Sequence, residues 1–265
     1  PINGKPSDEI SDGADVTRVA VVGHDYPTMK PRMHVEVGDV VKRGQLLFED
    51  RKSEGVRFTA PGAGEIVAIH RGEKRKFLSM VIELSSAEQN GSLTADDHMR
   101  FPSYTGEAAS SLSGEQVRAL VAESGLWTAL RQRPFDRVPS SSETCAAIFV
   151  TAVDTNPLAG SVEAMVAGQE EALTEGLHAL SQLTEGAVFL CVGPQWKLDV
   201  GSIPRVQTEV FVGKHPAGLV GTHIHMLCPV GRKRTVWHIG VQDVIAMGHL
   251  FKTGQLDVNR VVAFS

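Results

Sequence analysis

The stretch Ser124–Pro139, SGLWTALRQRPFDRVP, decides how this chain divides. Short apolar runs separated by Gly and Pro precede it. Strand-like and helix-like runs in alternation follow it. Within it, Trp127, Leu130 and Phe135 stand beside Arg131, Arg133 and Arg137, with Asp136 as the single acid. That mixture serves two readings. Aromatic faces and a few donors can hold a flat hydrophobic ligand with polar edges. A connector between domains carries the same residues with its arginines solvated.

Upstream, Val19–Val22 reads as a short apolar strand, and Val35, Val37 and Val40 flank the turn pair Gly38-Asp39. Gly44 opens Gln45–Phe48, Ala60–Gly64 turns the chain into Glu65–Ile69, and Met80–Leu84 closes the set. Short strands with such turns fit a small barrel or sandwich. The order VGDVVKRGQLLFE…APGAGEIVAI resembles the barrel-sandwich hybrid of lipoyl and biotinyl domains. Carrier members of that type accept their prosthetic group on a Lys at a hairpin tip. Here the hairpin Phe48–Gly55 offers Lys52 without the DKA or MKM context, so no covalent modification is expected.

The pattern places a β domain at residues 1–90, a polar linker at 91–112, an α/β domain at 113–255 and the start of a further domain at 256–265. Ser113 with Gln116 forms a capping box, and Leu112 with Val117 a hydrophobic staple. Val117, Leu120 and Val121 give that helix its apolar face, and Gly125 stops it. Beyond the focal stretch, Ala146–Val150, Ala187–Val192, Val206–Val212 and Thr235–Ile239 read as strands. Ser161 caps one long helix running through Val162, Met165, Val166, Leu173, Leu177 and Leu180. Val241, Val244, Ile245, Gly248 and Phe251 form another helical stripe, ended by Gly254. Arg260–Phe264 reads as a strand begun. The class is α+β or α/β multidomain, with a right-handed crossover and a Rossmann-like second domain.

With 265 residues, two domains are expected. Hydrophobic residues at 42% and charged residues at 22% suit a soluble protein with a real core. A net charge of −5 excludes a bulk basic field for nucleic acid. No apolar run approaches the ~20 residues of a membrane-spanning helix. The sequence opens PINGKP without Met or a signal-like segment, so a few starting residues are expected to be missing. Cys145, Cys191 and Cys228 stand far apart, which suits a reducing compartment and excludes a cysteine-ligated cluster or zinc knuckle.

Cofactor motifs are missing too. TAVDTNPLAG follows the first strand of the α/β domain, where a dinucleotide site needs G-x-G-x-x-G, and Asp154 would repel phosphate. There is no P-loop, no Ser–His–Asp order and no nucleophile elbow. Lys214–His225 gathers His215, His223 and His225, with His223 and His225 on one face if the segment is a strand. No carboxylate or Cys stands at ligand spacing, so no metal is expected; a loop holding a carboxylate or carbonyl edge is the other reading. In the loop 23–31, Tyr26 and Met29 form an apolar lip and His24 a donor or proton relay, or the same residues simply cover the barrel end.

Several blocks together resemble one family: GHDYPTMKPRMHVEVGDVVKRGQLLFEDRKSEGVRFTAPGAGEIVAIHRGEKR, SGLWTALRQRPF, AIFVTAVDTNPLAG, HPAGLVGTHIH and VQDVIAMGHLFKTGQL. They resemble the A subunit of the bacterial sodium-translocating NADH:quinone reductase (the Nqr complex), essentially from end to end. Family members are longer, so the chain is expected to be an N-terminal fragment. The resemblance implies a peripheral subunit on the cytoplasmic face of the bacterial inner membrane. With the other five subunits it would oxidise NADH, reduce ubiquinone and export sodium ions, and it would not be catalytic alone. FAD, FMN, riboflavin and iron–sulfur clusters would sit in those partners. This chain would carry no FMN, no iron–sulfur cluster and no metal.

The family is distantly similar to the flavin subunit of respiratory complex I and to the C subunit of the Rnf complex. Those relatives hold flavin phosphate on a Gly-rich loop where this chain has Trp127, Leu130, Arg131 and Phe135. That departure implies loss of FMN, with ubiquinone as the ligand instead. The head group is expected between the loops 23–31 and 124–137. Trp127 and Phe135 would wall the ring, and Arg131 or Arg133 would donate to a carbonyl. Tyr26, Met29 and Leu130 would line the isoprenoid path, and His24 would deliver a proton. The alternatives are a structural docking subunit without a quinone site, a carrier modified at Lys52, a flavin-binding redox protein, and a free-standing zinc enzyme.

Overall fold

A computed structural model describes residues 6–264 of the chain. Its first part is built from β1 (Arg18–Val22), β2 (Pro31–Met33), β3 (Val40–Val41), β4 (Leu46–Asp50), β5 (Arg57–Thr59), β6 (Gly64–Arg71) and β7 (Phe77–Leu84). They form two antiparallel sheets, ordered β1-β7-β6-β3 and β2-β4-β5. Alternate residues point into the space between them: Phe48 stacks on Phe58 with ring centroids 4.6 Å apart, and Ile66, Met80 and Ile82 are wholly buried.

The polar stretch after β7 is packed rather than free. It opens with α1 (Ser86–Gln89), capped by Ser85, and Phe101, Ala109 and Leu112 are buried against the core. Next comes α2 (Gly114–Glu123), begun by the Ser113–Gln116 capping box. Gly125 follows at φ 86°, the left-handed conformation that ends the helix.

The second domain contains β8 (Arg131–Arg133), β9 (Ala147–Ala152), α3 (Val162–Val166), α4 (Glu170–Gln182), β10 (Ala187–Val192), β11 (Val206–Val210), α5 (Val220–Leu227), β12 (Val236–Gly240) and α6 (Val241–Thr253). The sheet order is β11-β10-β9-β12-β8, parallel except for the edge strand β8. Strand order therefore reverses between β9 and β12. The period of two is explicit in β9. Ile148 and Val150 join the core shared with α4 and α6, while Ala147 and Phe149 join Phe211 and Ile224 on the α5 side. On the first side, α4 and α6 cross closely: a Cβ on Gly176 would lie 2.1 Å from the Val244 carbonyl oxygen, and one on Gly248 1.7 Å from that of Ala172.

Three expectations about elements are corrected. The long helix from Ser161 is broken after Val166, because Gly168 takes φ 78° and turns the chain before α4. His223 and His225 lie on the helix α5 rather than on a strand, so they do not share a face. Arg260–Phe264 pairs with no strand among the described residues; Gln242 on α6 holds it through both polar groups of Val261.

A single hydrophobic cluster runs from the barrel into the α/β domain. Thr59 on β5 donates its hydroxyl to the Ser124 carbonyl at 2.7 Å. A Cβ on Gly125 would stand 2.3 Å from the Thr59 hydroxyl oxygen. A second seam lies at the β4–β5 turn, where the Ser140 and Ser141 hydroxyls each donate to the Glu54 carbonyl at 3.1 Å. The hairpin that a carrier domain would present freely is thus held against the second domain, with Lys52 exposed beside it.

Gly125→Ala adds left-handed strain of about 1–2 kcal/mol to the Thr59 clash. Urea unfolding should show a loss of at least about 2 kcal/mol. A loss below about 0.5 kcal/mol would show that the seam tolerates a side chain there.

Candidate functional site

A cleft of about 700 Å³ opens between the barrel and the carboxyl ends of β9 and β12. In open parallel sheets, that reversal of strand order leaves a crevice no helix can fill. Val22 and Tyr26 border it from the barrel, Leu126 and Arg131 from the focal stretch, and His238 and Asp243 from β12 and α6.

Arg131 joins the two halves of this wall. One guanidinium nitrogen donates to the Thr128 carbonyl at 2.6 Å and the other to the Asp25 carbonyl at 3.3 Å. The same guanidinium lies 4.9 Å from the centre of the Tyr26 ring. Tyr26 in turn meets Phe58 edge-on at 4.7 Å, which fixes the ring from the barrel side.

Across the β8–β12 ladder, Arg131 pairs with His238. His238 Nε2 lies 3.0 Å from Asp136 Oδ1, and Arg133 Nη1 lies 3.8 Å from the same oxygen. Burial raises the Asp136 carboxyl, but the hydrogen bond from His238 and the charges of His238, Arg133 and Arg131 outweigh it and hold the group below its ordinary range. An ionised carboxylate only accepts, so Nε2 carries the imidazole proton. Burial pushes His238 below the ordinary imidazole value and prevails over the hydrogen bond and charge of Asp136. Asp243, in the first turn of α6, is 3.0 Å from Arg260. Burial raises its carboxyl, against the pull of Arg260 and Arg131.

Of the residues the sequence singled out, Tyr26 and Arg131 meet at the cleft. Trp127 and Leu130 do not reach it: both are wholly buried. The Trp127 indole donates to the Pro139 carbonyl at 2.8 Å and packs edge-on against Trp237, under the Arg118 guanidinium. The aromatic wall expected from Trp127 and Phe135 is corrected accordingly, since Phe135 is 79% exposed in the turn after β8. Arg133 turns to Asp136, and His24 is exposed outside the cleft. Met29 lies behind Tyr26, beside Val138. Sequence reasoning missed His238, Asp243 and Arg260. The one available signal was a histidine set among the apolar residues Val236, Trp237 and Ile239 of a strand.

In the segment 214–225, His223 is buried. Its Nε2 is 2.8 Å from the Ala217 carbonyl, its ring lies 4.1 Å from Phe211, and its Nδ1 has no partner. Among the described residues, no group of three or more His, Cys, Asp or Glu converges as a metal site.

Two family models match this chain. The NqrA second alpha/beta domain covers residues 112–256, and the NqrA N-terminal barrel-sandwich hybrid domain covers residues 1–85. The chain belongs to the NqrA family. It is 47% identical over all 265 residues to the A subunit of the Na(+)-translocating NADH-quinone reductase of Vibrio anguillarum. It is 48% identical over the same length to the proteins of that name from Pasteurella multocida and Cellvibrio japonicus. In each case it spans 57% of the relative's length. Among the described residues, no helix is long and apolar enough to cross a membrane.

Buried His223 and half-buried His98 and His238 should make the stability of this chain pH-dependent. Burial lowers His98, His223 and His238 below the ordinary imidazole value. The unfolded chain therefore binds more protons, and their contribution is lost as pH falls through and below about 6.5. Denaturant unfolding should show lower stability at pH ~5.5 than at pH ~7.5, and His223→Gln should shrink that difference. An unchanged difference in the variant would show that His223 does not contribute to it.

Proposed function

We propose that this chain is part of the peripheral subunit of a sodium-translocating NADH:quinone reductase and binds ubiquinone in the cleft between its two domains. The names of its relatives support the complex. The observation that carries the binding site is Arg131 laid against Tyr26, a cation and an aromatic face held together where the domains meet. A quinone ring is flat and apolar with two acceptor oxygens. Tyr26 offers it a face, and the remaining Arg131 N–H groups offer donors to a carbonyl. Reduction places negative charge on that oxygen, so the guanidinium favours the reduced form. Val22, Leu126 and Leu256 supply apolar surface for the isoprenoid tail.

In this reading, electrons reach the quinone from partner subunits that oxidise NADH and carry FAD, FMN, riboflavin and iron–sulfur clusters. Quinone reduction is coupled there to sodium export, at the cytoplasmic face of the bacterial inner membrane, and this chain does not turn over alone. The strand order supports a Rossmann-like domain related to the flavin subunit of complex I. The Asp243 carboxylate in the first turn of α6, and side chains instead of glycines at 126–131, favour a member without FMN. A docking role without quinone is the second reading, favoured by the exposure of Phe135 and Met226.

Calorimetric titration with a short-chain, water-soluble ubiquinone separates the two. Saturable binding is expected, with Arg131→Gln weakening it about tenfold or more, the worth of one charge-assisted hydrogen bond. Tyr26→Ala should weaken it as well. No saturable binding, or binding indifferent to both changes, would favour the docking reading.

A further inference from the structure

We propose that the β6–β7 hairpin tip docks on an anionic lipid bilayer and sets the mouth of the cleft against it. The tip, residues 71–76, reads Arg-Gly-Glu-Lys-Arg-Lys. Arg71, Lys74, Arg75 and Lys76 are all exposed, and among the described residues none of them forms an ion pair. Glu73 is the only acid in the turn. The chain as a whole carries −5, so this cluster runs against its overall sign. An acidic protein meets an anionic surface through such a patch or not at all.

The tip is closed on itself. Gly72 N–H donates to the Lys76 carbonyl at 2.8 Å, and Arg71 Nη1 to the Arg75 carbonyl at 3.4 Å. Its cations are therefore held together rather than spread along a loose loop. Leu78, 44% exposed, packs against Gly72 immediately behind them.

Position links the tip to the cleft. β1 runs antiparallel to β7 with Val22 opposite Ser79, and a Cβ on Gly23 would lie 2.6 Å from the Phe77 carbonyl. Val22 is both 38% exposed and part of the cleft wall. Basic side chains beside exposed Leu78 and Val22 match the boundary between headgroups and acyl chains. The tip has no aromatic side chain on which a nucleic acid base could stack. A quinone with an isoprenoid tail dissolves in the bilayer, so a cleft that takes it must open toward lipid. That orientation rests on the quinone reading; lipid binding by the tip does not.

The test is co-sedimentation of the 265-residue chain with quinone-free vesicles, of phosphatidylcholine alone or with about one third phosphatidylglycerol. Binding to the anionic vesicles is expected, at least about tenfold above neutral ones, and lost on raising salt from about 0.05 M to about 0.5 M. Each cation near such a surface is worth about fivefold, so Lys74→Gln/Arg75→Gln/Lys76→Gln should weaken binding about a hundredfold. An equal charge change elsewhere, Arg232→Gln/Lys233→Gln/Arg234→Gln, should weaken it less than about threefold. Unchanged circular dichroism and melting of the tip variant, whose side chains are exposed, confirm folding.

Equal loss in both variants, or no binding to anionic vesicles, overturns the proposal. Tighter binding to polyglutamate than to vesicles also overturns it, in favour of an acidic protein partner. Quinone titration of the tip variant without vesicles should match the parent chain, so failure of lipid docking is distinguishable from failure of quinone binding.

Discussion

The backbone at Gly125 lies so close to Thr59 that no side chain fits between them, and the remaining architecture depends on that approach. The Thr59 hydroxyl bonds the carbonyl just before it, which satisfies the end of α2 from the barrel rather than from water. With the domains drawn together there, their cores merge into one cluster. Trp127 falls behind the seam, under Arg118 and against Trp237, and becomes a structural residue rather than a binding one. The cleft is what remains in front of the seam, where the sheet changes strand order.

Polar groups around that cleft are positioned in pairs. His238 answers to Asp136, Asp243 to Arg260, and Arg131 to two carbonyl oxygens. Each pairing limits the cost of placing a polar group in a partly dry wall. The pairings also separate roles. Asp136 is spoken for by His238 and Arg133, whereas Arg131 has more N–H groups than its two bonds use. That surplus beside an aromatic face makes the wall suited to an acceptor-bearing ring.

Local signals carried most of the fold. The capping box at Ser113, the apolar runs at 147–150 and 187–192, and the turns around Gly38 and Gly62 each depend on near neighbours in sequence, and each lies where the pattern placed it. Long-range effects were less legible. Trp127 reads as a ligand face beside arginines until the partner of its indole N–H, Pro139 O, is known. His223 and His225 share a face only if their segment is a strand, but Gly218 just before it donates to the Thr155 hydroxyl and the chain coils into α5. His238 was hidden because its neighbours are core residues; only the register with β8 shows it facing Arg131. Arg131 and Tyr26 were expected at one site from the loops that carry them, but the form of their meeting, the guanidinium over the ring and bonded to the Asp25 carbonyl, was not legible.

Hydrogen–deuterium exchange of the chain, with and without a short-chain ubiquinone, tests most directly whether the guest lies between the domains. The account predicts slowed exchange at 20–26, 125–131 and 238–243 together, because one ligand would touch barrel, focal stretch and sheet at once. Protection confined to one domain, or to α5 and the loop before it, would contradict it.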